Sequence, residues 1–291
     1  MTFGPALRYQ VFPTAAFPGN AVTLRAATDL WDTDAMRYDV CAAADEDRLY
    51  YQVHDPQRCE VRFFCGHHEV RFCGHGLLAL AGHLATAHTP LAMEAGGQNG
   101  QRWQLHSRGK SVWIGMAPIA RTASSADLVA LAALLEALKF DYDALHVFAN
   151  AAWVATTSSL DSLQKVNAAA VQHIGLNYDR LGALVLTTRL AADCYALRYF
   201  APHYGKPEDS ATGSAQGCLA PLWLRSGQGA RVLQYSPHGV AEMQVQLEPA
   251  TVWLSGAITG PLAAQPGSPP ATTGEPAYSA NAVARSRITK L

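Results

Sequence analysis

The chain has 291 residues, with 22 Lys+Arg against 23 Asp+Glu and a formal net charge of −1, so no basic surface recommends nucleic acid as a partner. Hydrophobic residues make up 49% and charged ones 15%, enough core material for one large domain or two ordinary ones and too little charge for a disordered chain. No apolar run approaches the ~20 residues of a membrane span and the first residues lack a signal-peptide pattern; with 6 scattered cysteines and no CxxC, this reads as a cytoplasmic protein with reduced thiols and no membrane partner.

Alternating apolar residues predict a strand over 7–12, a turn-rich stretch over 13–18, and a second strand over 21–24 after Gly19-Asn20. Asp29 or Asp32 caps a predicted helix over 34–43, with Met36 and Val40 inward, which leads to Asp45-Glu46-Asp47. Strand formers at 49–53 and 59–64 suggest a hairpin. A polar loop follows, then Cys73-Gly74-His75-Gly76 opens an apolar helix over 77–84. Glycines at a helix start let backbone approach a ligand, and the free N–H groups there attract a carboxylate.

Further along, strands are expected at 103–106 and 111–116 and a helix rich in Ala and Leu over 123–138. Strands around Asn150 (146–157), a helix over 160–170, strands at 183–188 and 194–200, and a loop over 202–210 come next. Thr212-Gly213-Ser214-Ala215 opens a helix over 216–226, and three short strands follow at 232–236, 242–247 and 251–255. From residue 262 onward Ala, Pro, Gly, Ser and Thr dominate, a tail-like composition unsuited to chemistry. Cys59, Cys65, His67, His68, Cys73 and His75 lie close in sequence, but zinc sites favour tighter paired spacings, so no metal is assigned.

Two stretches echo each other. Arg62-Phe63-Phe64-Cys65-Gly66-His67 and Arg198-Tyr199-Phe200-Ala201-Pro202-His203 both read Arg, two aromatics, a small residue, a turn former and His. Each precedes a glycine-containing helix start, and Gly19-Asn20 has a weaker partner around Asn150 at a similar offset. This points to a duplicated half: 1–118 and 119–262, followed by a tail, 263–291. Two such halves facing each other through helix starts form an anion-binding slot.

Gly19-Asn20, Glu46, Arg62-Phe63-Phe64 with Glu69, Cys73-Gly74-His75 and the run Pro207 to Ala215 resemble the phenazine-biosynthesis isomerase (PhzF-like) family of the diaminopimelate-epimerase superfamily. The resemblance runs from about residue 7 to about residue 260. It implies an α+β fold of two pseudo-symmetric halves, each a mixed β-sheet wrapped around a central helix, with the active cleft between them. It also implies a cofactor-independent isomerase, a homodimer, acting on a small carboxylate. By the match, Glu46 shuttles the proton, His75 and Asp209 support it, and Gly74 and Ser214 hold the substrate carboxylate. Gly19, Asn20, Cys73, Gly76, Thr212 and Gly213 complete the binding set. Such a set suits proton transfer between carbons of an unsaturated acid, which needs one returning base and groups that hold the substrate and neutralise developing charge.

Two departures stand out. Ala21 replaces the usual proline after Gly19-Asn20, and Asp45 and Asp47 flank Glu46. Two neighbouring like charges favour a protonated Glu46 unless they point away. Cys73 stands where the amino-acid epimerases carry one of two catalytic thiols, but the second helix start reads Ala211-Thr212-Gly213. Two alternatives stay open: an epimerase or racemase using Cys73 with Glu46 opposed, and a ligand-binding or interaction protein without turnover. Plainer roles stand beside these: Asp209 and Ser214 as helix caps, Cys73 as a packed small residue, His67 and His203 as loop histidines bonded to backbone.

Overall fold

The computed structural model describes residues 3–28, 32–41, 47–65, 68–88, 90–204 and 206–262. The first half begins with strands β1 (Leu7–Val11) and β2 (Asn20–Ala26), helix α1 (Thr33–Cys41), and strands β3 (Asp47–Asp55), β4 (Arg58–Cys65) and β5 (His68–Val70). Helix α2 (Gly74–Ala85) follows, then β6 (Ala92–Gly96), β7 (Arg102–Arg108) and β8 (Ser111–Met116). After β9 (Arg121–Thr122) and α3 (Ser125–Ala137) come β10 (Ala144–Phe148), β11 (Ala152–Thr156), α4 (Leu160–Lys165), α5 (Ala168–Gly175), β12 (Ala183–Ala191), β13 (Cys194–Ala201) and β14 (Lys206–Asp209). Helix α6 (Gln216–Trp223) and strands β15 (Gly229–Ser236), β16 (Gly239–Leu247), β17 (Val252–Ser255) and β18 (Ile258–Leu262) complete the described chain.

The sheet pairings repeat. In the first half β1 is antiparallel to β2, β2 parallel to β3, and β3 antiparallel to β4. There β4 is antiparallel to β5 and parallel to β6, and β6, β7 and β8 form a meander. The strands from β10 to β17 follow the same scheme step for step. The halves join where β8 runs antiparallel to β17. Strand β18 of the second half lies antiparallel along β1 of the first, and β9, just past the boundary, lies antiparallel along β10.

The echo seen in sequence has one physical basis. On β4, Arg62 donates from Nε to Glu69 Oε1 at 2.7 Å and from Nη2 to Oε2 at 2.5 Å, reaching across to β5. On β13, Arg198 donates from Nε to Glu208 Oε1 at 2.6 Å and from Nη2 to Oε2 at 2.7 Å, reaching across to β14. Both are two-pronged guanidinium–carboxylate pairs, the geometry that fixes orientation as well as charge. The stretch 202–210, expected to be loop, therefore holds a short 3-10 turn (Pro202–Tyr204) and then β14. His203 accordingly sits in that turn, its Nε2 3.1 Å from the Tyr178 carbonyl, as a loop histidine bonded to backbone.

Helix α2 packs on β1, β2, β3, β7 and β8, and Leu77, Leu78, Leu80 and Leu84 enter one apolar core that also takes residues of α6. The chain's apolar signal at 77–84 thus marks a central helix, buried on most of its faces. Helix α1 covers the outer face of β2–β4 through Met36 and Val40 against Tyr50 and Phe64. Its Asp39 accepts hydrogen bonds from Arg25, Arg48 and, at 2.6 Å, the Tyr50 hydroxyl. In the second half α3, α4 and α5 take this outer role. The single helix expected over 160–170 is two, because Asn167 leaves the helical path and caps the next turn, accepting from Ala170 N–H at 3.1 Å.

The helix expected over 216–226 ends at Trp223. Pro221 lies inside it and has no N–H for the Gly217 carbonyl. Ile119 N–H donates to that carbonyl at 2.9 Å, so a residue on the connection between halves satisfies it.

Candidate active site

Helix α2 starts where Cys73 is extended (φ −131°, ψ 103°) and its Sγ accepts from Gly76 N–H at 3.4 Å. The counterpart start is the 3-10 turn Gly213–Ala215, preceded by extended Thr212 (φ −108°, ψ 93°) and continuing into α6. These two starts touch backbone to backbone. A Cβ on Gly74 would stand 3.0 Å from the Gly213 Cα and carbonyl carbon and 3.0 Å from the Ser214 nitrogen. On Gly213 it would lie 3.3 Å from the Gly74 Cα and 2.6 Å from Leu254 Cδ2. First-turn amides have no intrahelical acceptor and carry the positive end of the helix dipole. One turn from each half therefore converges on one spot, without any arginine or lysine side chain needed to make it attractive to an anion.

Around the second start a polar network is closed. Asn20 Nδ2, from the first half, donates to Asp209 Oδ1 at 3.0 Å and to the Ala211 carbonyl at 3.0 Å. Thr212 Oγ1 donates to Asp209 Oδ2 at 2.6 Å. Gln234, fully buried on β15, accepts from Thr212 N–H at 2.6 Å and donates to the Asp209 carbonyl at 2.6 Å and to Thr212 Oγ1 at 3.0 Å. Both carboxylate oxygens of Asp209 are thus held by neutral donors. Ser214 is partly exposed, and its hydroxyl makes no hydrogen bond to any described residue.

The first start is arranged differently. His75 is 6% exposed and forms an ion pair with Asp47 of β3, Nε2 to Oδ2 3.2 Å. Cys73 Sγ lies 3.5 Å from Nδ1 and 3.6 Å from Nε2 of the same ring. Nearly equal distances to both nitrogens put the sulfur over the ring face, since an in-plane position would crowd the carbon between them. Burial, the largest single influence on His75, pulls its pKa down; Cys73 and Asp47 together outweigh it and hold the imidazole well above the ordinary histidine range. Donor atoms of Asp47, Cys73 and His75 lie within 4.8 Å of one another.

Of the residues singled out from sequence, the structure brings Asn20, Cys73, Gly74, His75, Asp209, Thr212, Gly213 and Ser214 together around the glycine contact. Gly76 belongs to the cap of α2, and Gly19 serves the backbone: its φ is +90° and a Cβ there would meet the Val11 carbonyl at 2.8 Å. Glu46, with Asp45, Gly66 and His67, lies outside the described residues. Asp47, expected only as a charge beside Glu46, engages His75, and Gln234 was missed altogether. The available signal for Gln234 was a polar residue on the inward side of an alternating strand. A cavity of about 990 Å³ opens at the far end of α2, lined by Tyr9, Gly82, His83 and Thr86. It does not reach the glycine contact.

Comparison with known proteins decides the family. The sequence model of the phenazine biosynthesis-like proteins (PhzC-PhzF) matches residues 9–248. The chain belongs to the PhzF-like family. A Vibrio cholerae protein named as an uncharacterized isomerase is 27% identical over 208 residues, 67% of this chain and 66% of that protein. The PhzF-like chain thus spans about two thirds of the length of the curated relative it matches. The crystal structure of an Enterococcus faecalis PhzF family protein superposes with a TM-score of 0.67 at 16% identity, covering 88% of this chain and 97% of that one. A probable proline racemase from Agrobacterium radiobacter, with bound carbonate, gives 0.54 at 9% identity over 87% and 90%. At these identities the structural neighbours establish the fold, and the two-halved PhzF-like architecture is shared with the racemase. No helix among the described residues is long and apolar enough to cross a membrane.

Proposed function

We propose that the protein is a cofactor-independent isomerase that shifts a proton between carbons of a small unsaturated carboxylic acid, with Glu46 as the carrier. The observation that supports it best is the glycine contact, where one helix start from each half meets beside His75 and Asp209. In this reading the first-turn amides hold the substrate carboxylate, and the Asp209 network and His75 hold the rest of the molecule while charge develops. A dihydro-hydroxyanthranilate is the nearest named substrate, by family resemblance; a homodimer in the cytoplasm is part of the same reading.

The test is solvent deuterium incorporation into a dihydro-hydroxyanthranilate and, in parallel, into amino acids. Wild-type protein is expected to exchange a carbon-bound proton of the former. Glu46→Gln should bind the acid and stop the exchange, by at least about 100-fold for loss of a general base. Exchange at the wild-type rate in Glu46→Gln removes that residue from the mechanism.

An amino-acid epimerase is the second reading, because Cys73 Sγ sits at the helix start against His75. Its opposed base would be Glu46, because the second helix start offers only the Thr212 hydroxyl, which is no base at neutral pH and is already given to Asp209. Cys73→Ala separates the two. The isomerase keeps its exchange within about threefold, a reduction tied to the lost cap contact to Gly76; the epimerase loses it.

A further inference from the structure

The duplicated fold provides an internal control for the Asp47–His75 pair. Asp47 stands opposite Val22 in the parallel pairing of β2 with β3, and the corresponding place in the pairing of β11 with β12 is Ala183, opposite Ala152. Ala183 is buried and does its sheet work without any charge. His75, one residue past Gly74, likewise corresponds to Ser214, one residue past Gly213. The architecture therefore needs neither the carboxylate nor the imidazole, yet the first half carries both, 3.2 Å apart, with the Asp47 side chain 13% and the His75 side chain 7% exposed. Bringing two such groups out of water is costly unless they are paired, and removing one partner strands the other.

We propose that Asp47 is a positioning residue for His75: by engaging Nε2 it fixes the ring and keeps it an imidazolium, so that Nδ1–H is a charged donor beside the amides of the glycine contact. The titratable side chains facing His75 among the described residues are Asp47 from β3 and Cys73 from the cap of α2. The sulfur lies over the ring face, and Asp47 Oδ2 stands 3.2 Å from Nε2. A cation at this point adds to the two helix starts and favours a carboxylate or an enolate over a neutral ligand. The role in turnover rests on the isomerase reading above; the charge state of His75 does not.

The experiment uses full-length protein with 13C-labelled histidine, followed by NMR against pH without substrate. His75 is assigned by the resonance lost in His75→Gln. In wild type that resonance is expected to stay in the imidazolium position at pH 7 and to titrate well above ordinary histidine. In Asp47→Asn the midpoint should fall by about one unit or more, and Asp47→Glu should restore most of it. An equal midpoint in Asp47→Asn and wild type overturns the proposal. So does a neutral His75 in wild type at pH 7, an outcome that needs no Asp47 variant. Absent deuterium exchange in wild type would sink the isomerase reading alone, because the titration is read on the resting protein.

Discussion

Gly74→Ala is expected to lower deuterium exchange by about 100-fold or more, because misplacing a binding group by about an ångström costs that much. The added Cβ would sit 3.0 Å from three backbone atoms of Gly213 and Ser214, so neither partner can step aside by rotating a side chain. The two helix starts must part by a few tenths of an ångström, and amides aimed at one carboxylate lose their common focus. Overpacking of this kind costs about 1–3 kcal/mol of stability as well. Gly213→Ala is the informative contrast. Its shortest clash is with the Leu254 Cδ2 tip at 2.6 Å, a group that can turn away, while Gly74 lies at 3.3 Å. Exchange rate and melting temperature should therefore both fall less in Gly213→Ala. Were Gly74→Ala to exchange like wild type, the contact between the starts would have no part in holding substrate.

Arg198→Met should destabilise the protein by about 3–5 kcal/mol, the usual cost of stranding one member of a buried ion pair. Arg198 and Glu208 are 5% and 3% exposed, and Arg198 Nη1 also donates to the carbonyls of Leu163 (3.2 Å), Gln164 (3.1 Å) and Val166 (2.6 Å). Those carbonyls end α4 and lead to α5, so the guanidinium takes the place of the helical N–H groups missing there. The equivalent Arg62→Met should cost less, about 1–3 kcal/mol, because Glu69 is 21% exposed and can be rehydrated. Urea denaturation of the two variants checks the ranking. Adding Glu208→Gln to Arg198→Met should recover part of the loss, since it removes the stranded charge. Equal midpoints for Arg62→Met and Arg198→Met contradict the account.

What could be read from the sequence was whatever lies close along the chain. Cys73-Gly74-His75-Gly76 marks a helix start because cap, glycine and apolar run are consecutive, and α2 begins there. The repeated Arg-aromatic-aromatic pattern survives as paired arginines on β4 and β13, since the same strand position makes the same contact twice. The partners across the sheet were not legible. Glu208 read as part of a loop because β14, which among the described residues pairs with β13 alone, has no apolar alternation of its own. Asp47 read as a charge acting on its sequence neighbour, although its ion-pair partner is 28 positions away on another element. Gln234 looked like an ordinary strand residue, and its role appears only when β15 is laid against Thr212 and Asp209. Strand β18 was missed for the same reason: its partner is the first strand of the chain.

That last pairing bears on biosynthesis. Until β18 has left the ribosome, one edge of the hairpin β1–β2 stays uncovered, and a nascent first half has a bare row of amides and carbonyls. The earlier β9 is likewise made before the strand it will border. A gene cut between residues 118 and 119 therefore leaves the first fragment with a bare β1 edge until the second supplies β18.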